Sequence, residues 1–395
     1  MKICFVSDQS FPSRGGEGVS TQNFCLGLKE KGDEVVLFTS RVKNPPSVRE
    51  IKIYRFFSIR ISQGKGYLAF PSLKKIFYIL KREKIDIVHI NLPTYLGWQA
   101  LRGAKKLGIP VVLGFHVQTG NVIPSSIFLI PFKKIIEKWF SYFYKKGNIV
   151  LAPSFFAKRI LRDKYNLKYL DVVSNGVDLN RFNPNRVDIK NIKNFKKRYS
   201  LDDSSVLIYV GRLAREKNVC YLLKIMKYLK KMEKDIKLLI VGKGGLEKKI
   251  KKEIKHLGMD KEIVLTGYLE NIDLLCAYSY ADIFILPSFN ELQSIATLEA
   301  MAMKNTILVG DHTENAAQEL VKEGINGYTF SLRRPCDVAE KIYKIVSCSK
   351  LKKDMQENSF KMVQEHDMQR SILKLRGIYK ELKRKSRTKK TGLED

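Results

Sequence analysis

Two acidic side chains, Glu291 and Glu299, lie in the run Pro-Ser-Phe-Asn-Glu-Leu-Gln-Ser-Ile-Ala-Thr-Leu-Glu-Ala-Met-Ala that spans positions 287–302. The apolar stretch Ile283-Phe284-Ile285-Leu286 before it predicts a buried strand. Pro287 ends that strand, and Ser288 and Asn290 are turn residues. From about Ser294 the pattern turns helical, with Ile295, Leu298, Met301 and Ala302 at helix spacing. Pure helix would set the two carboxylates about 12 Å apart, and a loop at Glu291 shortens that. Such a pair brackets the open N-terminus of a helix, a natural seat for a phosphate. One acid then suits a sugar hydroxyl and the other a ribose hydroxyl. On so Lys-rich a chain, glutamates at this spacing are otherwise solvated or salt-bridged. What favours a site is the position at the carboxyl end of a predicted parallel strand, where open α/β sheets bind ligands.

Cations sit at a comparable place. Strand Val206 to Val210 runs into Gly211-Arg212-Leu213-Ala214-Arg215-Glu216-Lys217-Asn218, and Arg212 and Lys217 leave its end. An Arg fork and a Lys point charge together suit a diphosphate. The next strand closes with Gly242-Lys243-Gly244-Gly245, a weaker sign of close backbone approach. Near the start, strand Lys2 to Val6 leads into Ser13-Arg14-Gly15-Gly16-Glu17-Gly18-Val19-Ser20 and an amphipathic helix to about Lys31. The G-G-x-G spacing is not the dinucleotide fingerprint, and Glu34 to Phe38 runs into Thr39-Ser40-Arg41 with no acid for a ribose diol, which argues against NAD. Gly15 and Gly16 either let backbone approach a phosphate or sugar, or only make a tight turn. His116 stands just past strand Pro110 to Phe115, at the same ligand-binding edge, although a lone His is more often structural.

Elements to hold these residues recur through the chain. Further strands are expected at Glu50 to Phe56, Asp86 to Ile90, Asn148 to Ala152 and Asp171 to Ser174, then at Lys237 to Val241, Glu262 to Leu265, Thr306 to Val309 and Tyr328 to Phe330. Helical patterns alternate with them, so the class is α/β with mostly parallel sheets. The turn-rich segment from Asn175-Gly176-Val177-Asp178 to Asn183-Pro184 divides two doubly wound domains, 1–180 and 181–365, which would face each other across a cleft. Residues 366–395 form a C-terminal helix that could pack back on the first domain, with Lys383 to Lys390 as a basic, most simply disordered, tail.

A length of 395 residues suits two domains, and an apolar fraction of 44% suits real cores. A formal charge of +32 asks for an anionic partner: nucleic acid, anionic membrane or a phosphorylated ligand. The six cysteines form no C-x-x-C, so free thiols in a reducing compartment are expected rather than disulfides or zinc. No signal peptide or ~18-residue apolar span is read, which points to the cytoplasm with contact only at a membrane surface. Two helices are basic and aromatic. In Phe132 to Phe143 the residues Phe132, Ile135, Ile136, Trp139, Phe140 and Phe143 share one face, beside Lys133, Lys134 and Lys138; Leu73 to Lys84 is similar. Each is either a core-facing helix with a solvated back or an interfacial helix on anionic lipid.

Taken in order, these motifs resemble the retaining glycosyltransferases of the GT-B fold, glycosyl transferases group 1 with the E-x7-E pair. The resemblance covers nearly the whole chain. It is carried by Gly15-Gly16, Phe115-His116, Ala152-Pro153-Ser154, Ser174 to Asp178, Val210-Gly211-Arg212 with Lys217, Thr266-Gly267-Tyr268, Pro287-Ser288 with Glu291 and Glu299, and Asn326-Gly327-Tyr328. It implies two Rossmann-like domains and transfer of a hexose from a nucleoside-diphosphate sugar with retention. By the same resemblance Arg212 and Lys217 grip the donor diphosphate, Glu299 binds the ribose, Glu291 holds the sugar with amides near Gln293, Ser294 and Ile295, Gly15 and Gly16 approach the phosphates, and His116 sits beside the sugar. No metal or other cofactor is implied, because cations and a helix N-terminus stabilise the leaving group. Gly-Phe-His-Val-Gln at 114–118 and Glu-Leu-Gln-Ser-Ile-Ala at 291–296 also look like the diacylglycerol glycosyltransferase subgroup, which implies a lipid acceptor, with a saccharide as the other choice. Three positions depart from the family pattern near the donor pocket: Gln293-Ser294, Lys304-Asn305 and the segment Asp311 to Gln318. The rival classes are a non-catalytic basic protein binding nucleic acid or membrane by charge alone, and a GT-B sugar-nucleotide epimerase or hydrolase. Charge alone leaves the ordered loop motifs unexplained, so no nucleic-acid partner is expected.

Overall fold

The structure is a computed structural model that describes residues 1–9, 15–43, 51–61, 66–118, 131–201, 204–232 and 235–391. Ser13 and Arg14 of the glycine-rich loop and Glu50 lie outside the described residues. The chain forms two compact units. One is Met1–Gly176 with Met368–Asp395, and the other is Val177–Asp367.

The first unit is built on a seven-stranded sheet in the order Lys52–Phe56, Glu34–Ser40, Lys2–Val6, Ile87–Ile90, Val111–Gly114, Ile149–Ala152, Leu170–Val172. All its pairings are parallel. Parallel strands covered by helices on both faces must be apolar on both faces, which is why the central segments read as apolar runs while the edge strands Lys52–Phe56 and Leu170–Val172 carry Lys52, Arg55 and Asp171. Strands Ile87–Ile90 and Val111–Gly114 are buried throughout. The chain leaves the sheet centre in one direction after Lys2–Val6 and returns in the other with Ile87–Ile90. The switch point therefore lies between those two neighbours.

The final segment belongs to this unit. Helix Met368–Thr391 lays Ile372, Leu375 and Tyr379 into the core formed with Phe24, Cys25 and Leu28. Gly27 makes that approach possible, because a Cβ there would fall 2.0 Å from Cδ1 of Ile372. Each buried side chain contributes about 1.5–3 kcal/mol. The helix also carries half-exposed ion pairs, Lys374 with Asp171 at 2.9 Å and Arg376 with buried Asp33 at 2.8 Å. Exposed pairs are worth about 0.2–1 kcal/mol, so apolar burial dominates the docking. The basic stretch Lys383 to Lys390, read as a disordered tail, continues this helix instead, and Lys383 reaches Asp86 at 2.6 Å.

Both basic, aromatic helices belong to the first unit, and they differ. Leu73–Arg82 buries Ile76, Ile79 and Leu80 and packs on Tyr95–Lys106, where Gly103 lies against Ile76. It is a core-facing helix. Lys133–Tyr144 buries Phe140, Phe143 and Tyr144 only. Its apolar face splits: Trp139 packs edge-on against Trp98, while Phe132 and Ile135 stay 52% and 63% exposed.

The second unit holds a six-stranded parallel sheet in the order Ile263–Gly267, Ile236–Val241, Ser205–Val210, Ile283–Leu286, Thr306–Asp311, Gly327–Ser331. Its switch point lies between Ser205–Val210 and Ile283–Leu286. The loops after those two strands carry Arg212 and Lys217 on one side and Glu291 on the other. Among the described residues no helix is long and apolar enough to cross a membrane. All six cysteines are free, with Cys4, Cys25 and Cys276 buried.

Candidate active site

In the second unit the strand Ser205–Val210 ends at Gly211, and the chain turns through a single 3-10 turn, Arg215–Lys217. Asn218 closes it in the left-handed region, at φ 50°, which side-chain amides tolerate. The turn rests on a glycine loop. Leu213 donates its amide to the Lys243 carbonyl at 3.1 Å, and Gly211 to Val241 at 3.0 Å. A Cβ on Gly242 would fall 1.9 Å from the Gly211 carbonyl oxygen, and one on Gly244 would fall 2.3 Å from that of Leu213. The close approach expected of Gly242 to Gly245 is therefore to the Arg212 loop itself, and these glycines act as its backing.

Lys217 and Glu291 meet. The Lys217 ammonium donates to Glu291 Oε1 at 2.6 Å, with the two side chains 20% and 9% exposed. Arg212 donates to Glu216 Oε1 at 2.6 Å while remaining half-exposed. Glu216 has a second function, since its carbonyl accepts the Phe289 amide at 2.9 Å and so ties the Arg212 loop to the loop that carries Glu291. Glu291 is not in a free loop. Asn290–Glu291 pairs in parallel with Glu314–Asn315. Asn315 donates to the carbonyls of Ser288 and Gly310, at 3.1 and 2.9 Å, which pins the approach to that pair.

Ser294 is the N-cap of helix Ile295–Ala302. Its hydroxyl accepts the Thr297 amide at 3.2 Å and the Thr297 hydroxyl proton at 2.8 Å. The first-turn amides at Ile295 and Ala296 have no intrahelical acceptor, so an anion can take them. Gln293 and Ser294 are buried, at 9% and 5% exposure. Glu299 sits a turn and more along the helix, half-buried, where it accepts the Tyr278 hydroxyl at 2.9 Å. Burial pushes its carboxyl up to about 7; the Tyr278 hydrogen bond and the charge of Arg181 pull the other way. A carboxylate in that setting is short of donors, as a diol-binding group must be. Lys304 and Asn305 do structural work: Lys304 takes φ 58° at the helix end, and the Asn305 amide ties the carbonyls of Tyr278 and Ala281 at 2.9 and 2.7 Å.

In the first unit Gly15 caps helix Gly16–Glu30, and both glycines are exposed. Neither has a positive φ, and a Cβ on Gly16 would meet nothing within 4 Å. Packing within the unit does not demand glycine at position 16. His116 follows Val111–Gly114 and is half-buried, and burial pushes its imidazole down to about 4, so it is neutral near pH 7. Beside the switch point lies a polar network that the residue types alone did not reveal. Glu17 accepts hydroxyl protons from Ser7 at 3.0 Å and from Thr21 at 2.9 Å. Asp8 accepts the Ala69 amide at 2.7 Å and the Thr94 hydroxyl. Burial pushes Glu17 up to about 7 and Asp8 up to about 6. Sequence reasoning also passed over Glu216, Tyr278 and Asn315. The one available signal was the i,i+4 spacing of Arg212 and Glu216 on a loop already marked as a site. Among the described residues no cluster of His, Cys, Asp and Glu could hold a metal ion.

Comparison with known proteins supplies the family. Residues 191–362 match the model of glycosyl transferases group 1, and residues 14–181 that of glycosyltransferase family 4. The chain is 24% identical over 314 residues to the alpha-monoglucosyldiacylglycerol synthase of Streptococcus pneumoniae, covering 78% of this chain and 70% of that one. It is 26% identical over 346 residues to the Acholeplasma laidlawii enzyme of the same name, covering 84% and 85%. Among solved structures, Anabaena Alr3699/HepE in complex with UDP-glucose superposes with a TM-score of 0.79 at 16% identity, covering 96% of this chain and 100% of that one. Two parallel doubly wound units, each with charged or glycine-rich loops at its switch point, are the Rossmann-like halves of the GT-B fold. The chain belongs to the glycosyl transferases group 1, with a family 4 first half, and is a glycosyltransferase.

Proposed function

We propose that this enzyme transfers a hexose from a nucleoside-diphosphate sugar to a hydroxyl of a membrane lipid, with retention at the anomeric carbon. The observation that carries the donor half is the Lys217–Glu291 pair at the switch point of the second unit. An ammonium and a carboxylate held in contact suit a ligand that is anionic at the diphosphate and hydroxylated at the sugar. Lys217 and Arg212 take the diphosphate oxygens. The amides of Ile295 and its neighbours add the helix N-terminus, and Glu299 accepts the ribose hydroxyls. Glu291 orients the sugar, with Gln293 and Ser294 shaping its floor. The resemblance assigns Gly15 and Gly16 of the first unit to the phosphates and His116 to the sugar.

In this reading the bond from the anomeric carbon to the diphosphate oxygen breaks as the acceptor oxygen attacks on the same face. The departing diphosphate oxygen takes the acceptor proton. The protein's main contribution is electrostatic stabilisation of that leaving group, supplied by fixed cations and amides without a metal. UDP-glucose is the donor to try first, because it is the ligand of the Anabaena protein.

A lipid acceptor is favoured by the names of the two relatives and by helix Lys133–Tyr144. Exposed Phe132 and Ile135 stand beside Lys133 and Lys134, and exposed Tyr142 lies under Lys146, the composition of an interfacial helix. The enzyme then works from the cytoplasm as a peripheral membrane protein. The test offers UDP-glucose and other sugar nucleotides with diacylglycerol in anionic vesicles, and a soluble saccharide as the competing acceptor. A glycolipid whose anomeric coupling matches the donor's supports the whole reading. An inverted product overturns retention, and transfer to the saccharide alone overturns the lipid acceptor. Free sugar as sole product points to a hydrolase.

A further inference from the structure

Beside His116, within the first unit, lies a cavity of about 20 Å³ whose lining includes His89, Asn91, Gly114 and His116. That is room for about one water. Two lining side chains bring a buried polar atom with no hydrogen-bond partner among the described residues: Nε2 of His89 and Oδ1 of Asn91. The residues are only 4% and 2% exposed. A buried polar atom left unpaired costs about 1–3 kcal/mol, so two around one small space call for a shared partner.

Their far-side partners determine what each atom offers. The Thr21 hydroxyl has one proton, and it goes to Glu17, whose carbonyl and carboxylate lie at 3.0 and 2.9 Å. Toward Asn91, therefore, Thr21 can only accept. That orients the Asn91 amide with its nitrogen on Thr21, at 2.6 Å, and leaves its oxygen as an acceptor, 2.8 Å from where a Cβ on the cavity-lining Gly114 would stand. On His89, Nδ1 meets the Tyr379 hydroxyl of the C-terminal helix. That phenol has no other acceptor among the described residues, so it donates. His89 Nδ1 accepts, and the ring proton sits on Nε2. Burial pushes His89 down to about 3, which keeps it neutral with a single proton to place. Two side chains that line the cavity thus bring one unpaired donor and one unpaired acceptor, the pair a bridging water uses. Gly114 keeps the space open: a Cβ there would fall 2.8 Å from Asn91 Oδ1 and 3.0 Å from His116 Nε2.

We propose that His89 and Asn91 are positioning residues that act on His116 through one water in this cavity and select which of its nitrogens carries the proton. The water accepts from His89 Nε2–H and donates one hydrogen to Asn91 Oδ1 and the other to His116 Nε2. His116 then carries its proton on Nδ1 and offers that N–H to substrate. The chain of donors begins at Tyr379, so the C-terminal helix sets the state of a ring more than 260 residues earlier in the sequence. The inference rests on the reading of His116 as a sugar contact.

The test uses the full chain labelled with 15N at histidine. Imidazole nitrogen shifts report the tautomer, and His116→Gln assigns the His116 signals. Tyr379→Phe removes the first donor with little change of volume, and Gly114→Ala fills the cavity as a second route. The expected result is a single Nδ1–H tautomer of His116 in the unaltered protein and averaged shifts in both variants. With it, kcat falls about tenfold, the scale of one lost hydrogen bond, at an unchanged donor KM. An Nε2–H tautomer in the unaltered protein, or His116 shifts that neither variant moves, overturns the relay. Full kcat in His116→Gln overturns the sugar-contact reading instead, whatever the tautomer, so the two failures are distinguishable.

Discussion

Replacing Glu291 with glutamine keeps the side chain's shape and removes its charge, leaving Lys217 largely buried and without its counter-ion. The size of the effect follows from the exposures of the pair, 20% and 9%. Fully exposed ion pairs contribute about 0.2–1 kcal/mol, and breaking a fully buried one costs about 3–5 kcal/mol. An intermediate site should lose about 2 kcal/mol. Lys217→Met should cost a similar amount, and the double variant less than the sum, because the pair is counted twice. Both tryptophans, Trp98 and Trp139, lie in the first unit, so tryptophan fluorescence would follow the wrong one. Hydrogen exchange of the amides in Ile283–Leu286 reads the second unit directly. Catalysis should respond with the opposite pattern at its two stages. A released Lys217 is freer to meet the diphosphate, so donor affinity holds or rises in Glu291→Gln. The sugar loses its orienting carboxylate, so kcat falls about a hundredfold. Saturating UDP should shrink the coupling between the two positions, since Lys217 then has a second anion. Strictly additive stability effects, or a kcat within about threefold of the parent, would refute the reasoning.

The raised Glu299 carboxyl makes donor binding depend on pH. Ribose hydroxyls need the ionised form, so affinity should fall about tenfold per unit as pH drops below about 7, and Glu299→Gln should flatten the slope in calorimetric titration. The same group acts on stability with the reverse sign. Its folded value lies above the ordinary carboxylate range, so its contribution weakens as pH rises from about 4.5 to 7, and Glu299→Gln should remove that part of the decline in thermal unfolding. Gly16→Ala should leave the melting temperature within about a degree, as its Cβ meets nothing, yet weaken donor binding severalfold by thermal shift. Binding to anionic vesicles should fall about tenfold or more when Ile135 and Lys134 are both replaced by Glu, each lost cation being worth about 1 kcal/mol at the surface, while neutral vesicles bind weakly throughout. Equal binding to both vesicle types would reject that interface.

The parts legible in the sequence are those with a local cause. The inner strands announce themselves because a parallel strand covered on both faces has to be apolar along its length, whereas the short antiparallel pair Ser58–Arg60 and Tyr67–Ala69 has no such run and was not read. Gly211, Pro287 and the serine at 294 mark where strand stops and helix starts. The residues that project from those ends, Arg212, Lys217 and Glu291, are therefore found without coordinates. Their mutual contact is not, since Lys217 and Glu291 are brought together by neighbouring strands that come from distant parts of the chain. Glu216 and Glu17 were passed over for a related reason. A glutamate beside a glycine-rich or basic loop looks solvated until its partners arrive, and the carboxylates' partners are hydroxyls on Ser7 and Thr21 for Glu17 and the Arg212 guanidinium for Glu216. The glycines at 242 and 244 signalled close approach correctly but not to what. The helical course of Lys383 to Lys390 was hidden by its charge, which masks the docking made upstream by Ile372, Leu375 and Tyr379.

The return of Met368–Thr391 to the first unit has a consequence for how the protein is made. Residues 177–367 form a contiguous unit and can fold as soon as they emerge from the ribosome. The unit begun earlier has to wait, with the groove around Phe24, Cys25 and Leu28 uncovered, until a helix almost two hundred residues later is synthesised. Translation order and folding order are thus inverted. During that interval the nascent chain exposes an apolar trough, the kind of surface that recruits chaperones and that makes a prematurely terminated product prone to aggregate.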